Sequence, residues 1–159
     1  MLCERPLGTI TDAAFADCGI DYIELDWFDA NKKILKRTSL SGEELSMRLD
    51  DTAQTRGLRD GDVLFHDNDR VLAVRIVPCE VIAVQAASKN PRLLAKAAYE
   101  IGNRHAPLFW NSADEMLLTP FDEPMFELLS RIGGLSCTVK IEKLDLDHRI
   151  SGAHGAHTH

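Results

Sequence analysis

Apolar and acidic side chains alternate through Tyr22-Ile23-Glu24-Leu25-Asp26-Trp27-Phe28, the two-residue period of a strand buried on one face. Asp29-Ala30-Asn31 turns the chain into Lys33-Ile34-Leu35-Lys36-Arg37-Thr38, which predicts a second strand. Ser41-Gly42 turns it again into Glu44-Leu45-Ser46-Met47-Arg48-Leu49, and a polar stretch from Asp50 to Arg59 follows. Asp60-Gly61-Asp62 then opens Val63-Leu64-Phe65-His66. A tight hairpin turn at Asp67-Asn68-Asp69 leads back along Val71-Leu72-Ala73-Val74. Residues 1–76 therefore predict an all-β domain, a small sandwich or barrel of short strands.

Pro78 breaks this rhythm and marks the expected boundary between domains. Beyond it, Val81-Ile82-Ala83-Val84 is a β-branched strand. Asn90-Pro91 opens a helix, Asn90 as N-cap and Pro91 at the first helical position, with Leu94, Ala97, Ala98 and Ile101 on one stripe. It stops near Gly102, ahead of Pro107. Two strands follow, Leu108-Phe109-Trp110 and Met116-Leu117-Leu118. A helix starts near Pro124, with Met125, Leu128, Leu129 and Ile132 on one face. Gly133-Gly134 ends it before a last strand, Leu135 to Leu144. Strand, helix, strand, strand, helix, strand is the ferredoxin-like order, so residues 77–146 predict that α+β fold, two helices on one face of a four-stranded sheet. Residues 147–159 hold mostly Gly, Ala, Ser and His, too little apolar content to pack, and read as a flexible tail.

The formal charge of 18 − 25 = −7 disfavours a nucleic-acid partner, because an acidic surface repels phosphates. No apolar stretch is long enough to span a bilayer, and Met1 to Thr11 carries no signal peptide. Cys3, Cys18, Cys79 and Cys137 are far apart with no CxxC pair, so free thiols in a reducing, cytoplasmic compartment are expected. Cys79 and Cys137 sit in apolar runs and read as small buried side chains.

Three of the six histidines, His154, His157 and His159, lie in the last six residues. Neutral imidazole is a good ligand for nickel, copper and zinc, and a histidine titrating near ~6.5 is largely free to bind at neutral pH. Ordering such a tail costs roughly 1–2 kcal/mol per residue, which suits delivery of an ion rather than its storage. His105 follows Ile101 by four residues and extends the apolar stripe to the helix end, where a histidine taken alone is a capping or core residue. His66 reads as an exposed strand-end residue, and His148 as an accessory ligand. No nucleophile–base pair, Gly-x-Ser-x-Gly or phosphate loop is present, so no enzyme activity is expected.

Tyr99-Glu100-Ile101-Gly102-Asn103-Arg104-His105 resembles the (Phe/Tyr)-Glu-(Ile/Leu)-Gly-Asn-Arg-His signature of the UreE urease accessory proteins. Asp60-Gly61-Asp62-Val63-Leu64, Asp26-Trp27, Lys32-Lys33-Ile34-Leu35 and the histidine-bearing C-terminus are similar to that family in the same order. The resemblance implies a homodimeric nickel metallochaperone that works with a GTPase, other accessory proteins and apo-urease. In it, the histidine matching His105 meets its symmetry mate to hold one Ni²⁺. Two tails could then donate His154, His157 or His159 to complete the shell, and Zn²⁺ or Cu²⁺ can compete for such ligands in vitro. It also implies a peptide-binding-like first domain. Some family members carry histidines ahead of the second helix, whereas this chain has Pro120-Phe121-Asp122-Glu123.

The main alternative is a peptide- or protein-binding module whose histidines are incidental. An RNA-binding module shares the second domain's order, but it wants aromatic residues on the third strand, where this chain has Glu115-Met116-Leu117-Leu118-Thr119.

Overall fold

The alternating segments fold as strands because one face of each finds a core while the other faces water. In the computed structural model, which describes residues 1–88, 90–111 and 113–150, the chain divides into two units, Met1–Val77 and Pro78–His159.

The first unit contains β1 (Leu2–Cys3), β2 (Gly8–Thr9), β3 (Gly19–Leu25), β4 (Ile34–Thr38), β5 (Glu44–Arg48), α1 (Asp51–Arg56), β6 (Asp62–Asp67) and β7 (Arg70–Ile76). They form a three-stranded sheet, β1-β5-β4, and a four-stranded one, β2-β6-β7-β3. β3 pairs with β7 in parallel and ends at Leu25, opposite Ile76, where its partner ends too. Trp27–Asp29 therefore leaves the expected strand and forms a 3₁₀ turn. The polar stretch after β5 is not featureless. The Asp50 carboxylate accepts the Ala53 N–H at 2.7 Å and caps the short α1, and Gly57, at φ +73°, ends it. The all-β reading of this unit thus gains one six-residue helix.

Asp62 is fully buried. Its carboxylate accepts from Arg56 Nη1 and Nη2 at 2.6 and 2.9 Å and from the Arg59 N–H at 2.8 Å. Asp60 accepts the Ile76 N–H at 2.7 Å. The Asp60-Gly61-Asp62 run is thus a clamp joining α1, β6 and β7.

The second unit contains β8 (Cys79–Ala86), α2 (Pro91–Asn103), β9 (Phe109–Asn111), β10 (Met116–Pro120), α3 (Glu123–Ser130) and β11 (Leu135–Glu142). The sheet order is β11-β8-β10-β9, antiparallel throughout, which is the ferredoxin-like arrangement. Its core forms where Ile82, Val84 and Leu117 of the sheet meet Ala97 and Ile101 of α2 and Leu129 of α3. Asn90 caps α2 as its sequence predicts, its side chain accepting the Arg92 N–H at 3.1 Å. Cys79 and Cys137 are half-buried rather than enclosed.

Of the expected tail, residues 147–150 belong to this unit. Leu146–His148 is a 3₁₀ turn, Arg149 bridges Phe109, and the Ile150 N–H donates to the Leu108 carbonyl at 2.8 Å. Backbone pairing beside β9 holds this segment without an apolar face of its own. Among the described residues no helix is long and apolar enough to cross a membrane.

Candidate metal centre

α2 ends as its sequence dictates, but not in the place that puts His105 on its stripe. The last helical residue is Asn103. The Ala106 N–H then donates to the Ile101 carbonyl at 3.2 Å, and the His105 N–H donates to the Gly102 carbonyl at 2.9 Å. This crossed pair is a Schellman motif with His105 at its left-handed position, φ +56°. The expected continuation of the apolar stripe to His105 fails for this reason: the helix ends at Asn103, and the backbone reverses sense at His105 itself and carries the imidazole out to solvent. His105 is exposed, whereas Ile101 one turn back is fully buried.

Glycine or asparagine normally occupies that position, since a Cβ there costs roughly 1–2 kcal/mol. Pro107 follows and prevents the helix from resuming. Arg104, the capping residue, donates to the Glu100 carboxylate at 2.8 Å and to the Glu100 carbonyl at 3.2 Å, which pins the final turn. The side chain that emerges is an imidazole on a fixed backbone, open to an ion.

One imidazole does not hold a transition metal alone. Among the described residues, no three His, Cys, Asp or Glu side chains gather into a metal-binding group. Any centre at His105 therefore takes donors from outside that set. His154, His157 and His159 lie outside the described residues. The origin of their segment is nonetheless defined. Ile150 is bonded to Leu108, three residues beyond His105. His154 follows Ile150 by four residues, a reach of ~14 Å, against ~11 Å at most from Leu108 back to His105. This link between Ile150 and Leu108 carries no local signal in the sequence, because the two residues are far apart along the chain. His148 is exposed on its 3₁₀ turn, and His66 is exposed in the other unit.

Comparison with known proteins adds what geometry alone does not. The family model described as "UreE urease accessory protein, N-terminal domain" matches residues 4–77, and its C-terminal counterpart matches residues 79–159. A urease accessory protein UreE from Helicobacter pylori is 38% identical over 151 residues, covering 95% of this chain and 86% of that protein. One from Acetivibrio thermocellus is 37% identical over 161 aligned positions and covers both chains completely. One from Helicobacter acinonychis is 37% identical over 151 residues. Two adjoining family models span nearly every residue and full-length relatives share more than a third of their positions, so the chain belongs to the UreE family of urease accessory proteins, which are chaperones and not enzymes.

Proposed function

We propose that this protein carries Ni²⁺ as cargo to apo-urease in the cytoplasm, as a homodimer in which His105 of each subunit grips the same ion. The observation that carries the reading is the left-handed, exposed His105. A residue held at a strained corner with its side chain turned out to water serves a ligand better than it serves the core. A two-fold axis converts one such imidazole into two. Nickel favours further N and O donors, and His154, His157 and His159 start from a point within chain reach of His105. Tyr99 on α2, 67% exposed and six residues before His105, supplies apolar surface that a second copy covers. An acceptor such as the accessory GTPase or apo-urease can then draw the ion away.

Isothermal calorimetry of Ni²⁺ into wild type, His105→Ala and a chain ending at Ser151 tests the reading. The tightest phase should vanish in His105→Ala, and the shortened chain should bind more weakly. Equal binding by all three leaves the protein-interaction reading in possession. Because an imidazole must be deprotonated to ligate, binding should weaken below about pH 6.

A further inference from the structure

Three potential ligand atoms from distant parts of the first unit converge at one corner. β3 and β7 run parallel with Gly19 opposite Arg70, so the residues leading into them, Cys18 and Asn68, lie side by side. The Gly19 N–H donates to the Asp69 carbonyl at 2.6 Å and locks the two approaches together. β6 brings the third group. Its register slips by one residue between Val63 and Phe65, so His66, rather than Phe65, stands opposite Val71. Val71 packs with Phe15, Val63 and Cys18, and the bulge thereby aims the imidazole at the thiol. Phe15 holds the ring edge-on, with centroids 5.2 Å apart.

Cys18 Sγ lies 3.6 Å from His66 Nε2. The Asn68 carbonyl oxygen lies 3.2 Å from the same Nε2 and 3.9 Å from Sγ. Each separation is a hydrogen-bond contact in the metal-free protein, with the Asn68 carbonyl accepting from both His66 Nε2 and Cys18 Sγ. The same triangle also matches another figure. A tetrahedral ion with bonds of ~2.3 Å to sulfur and ~2.1 Å to nitrogen and oxygen spaces its ligands ~3.6 Å (S to N or O) and ~3.4 Å (N to O). Sulfur, nitrogen and oxygen already occupy the corners of one face of that tetrahedron. Cys18 is half-buried and His66 exposed, so both side chains are within reach of an ion from solvent. Asp17, Asp67 and Asp69 are their sequence neighbours and favour a cation.

We propose that Cys18, His66 and the Asn68 carbonyl form a second metal site, thiophilic and tetrahedral, suited to Zn²⁺ and chemically distinct from the nitrogen-and-oxygen site for nickel. On binding, the Cys18 S–H proton passes to solvent as the metal–sulfur bond forms. His66 Nε2 loses to solvent the proton it shares with the Asn68 carbonyl, Nδ1 takes one up from solvent, and the freed Nε2 lone pair binds the metal, so the ring stays neutral. Cys3 and Cys137 are poorer candidates, because burial pushes their thiols up. The site stands independently of the nickel reading, since it shares no residue with His105.

Cobalt(II) is the probe, because a cobalt–thiolate bond gives a charge-transfer band in the near ultraviolet that imidazole ligands do not. Titrated into the full reduced chain, Co²⁺ should produce the band in wild type and in His105→Ala, and Zn²⁺ should displace it. Cys18→Ser should lose the band, and His66→Gln should bind at least about tenfold more weakly, circular dichroism verifying both folds. A band that persists in folded Cys18→Ser, a wild type without one, or a His66→Gln protein that binds like wild type overturns the site. If Cys18→Ser does not fold, alkylation of Cys18 mapped by mass spectrometry decides: Zn²⁺ should slow labelling by about tenfold or more, and unchanged labelling rejects the proposal.

Discussion

His105 stands where glycine would make the end of α2 more stable. His105→Gly relieves a left-handed Cβ cost of roughly 1–2 kcal/mol and loses roughly 0.5–1 kcal/mol to glycine's extra chain entropy, so it should raise unfolding free energy by up to about 1 kcal/mol in urea titrations while it removes the tight nickel phase. A mutant that is both less stable and nickel-deficient contradicts the view that function, not packing, holds the imidazole there. Thr119 on β10 presents the opposite case. It is fully buried, and its hydroxyl has no hydrogen-bond partner among the described residues. Thr119→Val swaps that hydroxyl for a methyl of similar size and should stabilise by about 1 kcal/mol. A midpoint that falls in denaturant titration would reveal a bridging water that the valine displaces.

At the scale of elements, the Asp62 clamp matters most in the first unit. Asp62 is buried while the Arg56 side chain is 43% exposed, so Asp62→Ala leaves a guanidinium that water can reach and should destabilise by about 1.5–3 kcal/mol, seen as an early transition in thermal unfolding. Asp21 ties β3 to the Ser39–Gly42 turn, accepting the Ser41 hydroxyl at 2.5 Å and the Tyr22 N–H at 2.9 Å. Burial pushes its carboxyl up, but hydrogen bonds from Ser39, Ser41 and Tyr22 outweigh that and hold it below the ordinary carboxylate range. The folded pKa is depressed. Its stabilisation is therefore present above the unfolded value near ~3.9 and fades as pH falls through the folded one. Asp21→Ala should be less stable than wild type at neutral pH, and the gap should close in acid. A gap independent of pH in denaturant titrations assigns the effect to packing instead.

For the whole molecule, sharing of one ion by two chains predicts a stoichiometry. The tight calorimetric phase should saturate at one Ni²⁺ per two subunits, and sedimentation of the same sample should show a dimer. One ion per subunit in that phase is incompatible with twin His105 ligands. The longer strands and both helices of the second unit were legible in the sequence because their signals are local, whereas the six-residue α1 and the two-residue β1 and β2 were not. A period of two marks β3 to β7, Asn90-Pro91 opens α2, and Gly133-Gly134 closes α3 before β11. The Gly-Asn-Arg-His block likewise marks His105 in the sequence itself. The left-handed turn that puts its imidazole in water was not legible. It depends on hydrogen bonds across the helix end, completed only when Ala106 packs against the core. Other features were hidden for the same kind of reason: the parallel pairing of β3 with β7, the bulge that sets His66 beside Cys18, and the bond from Ile150 to Leu108. Each joins residues 40 or more positions apart. Local order follows from side-chain size, branching and capping, which each segment carries itself. Which segments become neighbours is settled only when the whole chain buries its apolar faces, and there the candidate sites arise.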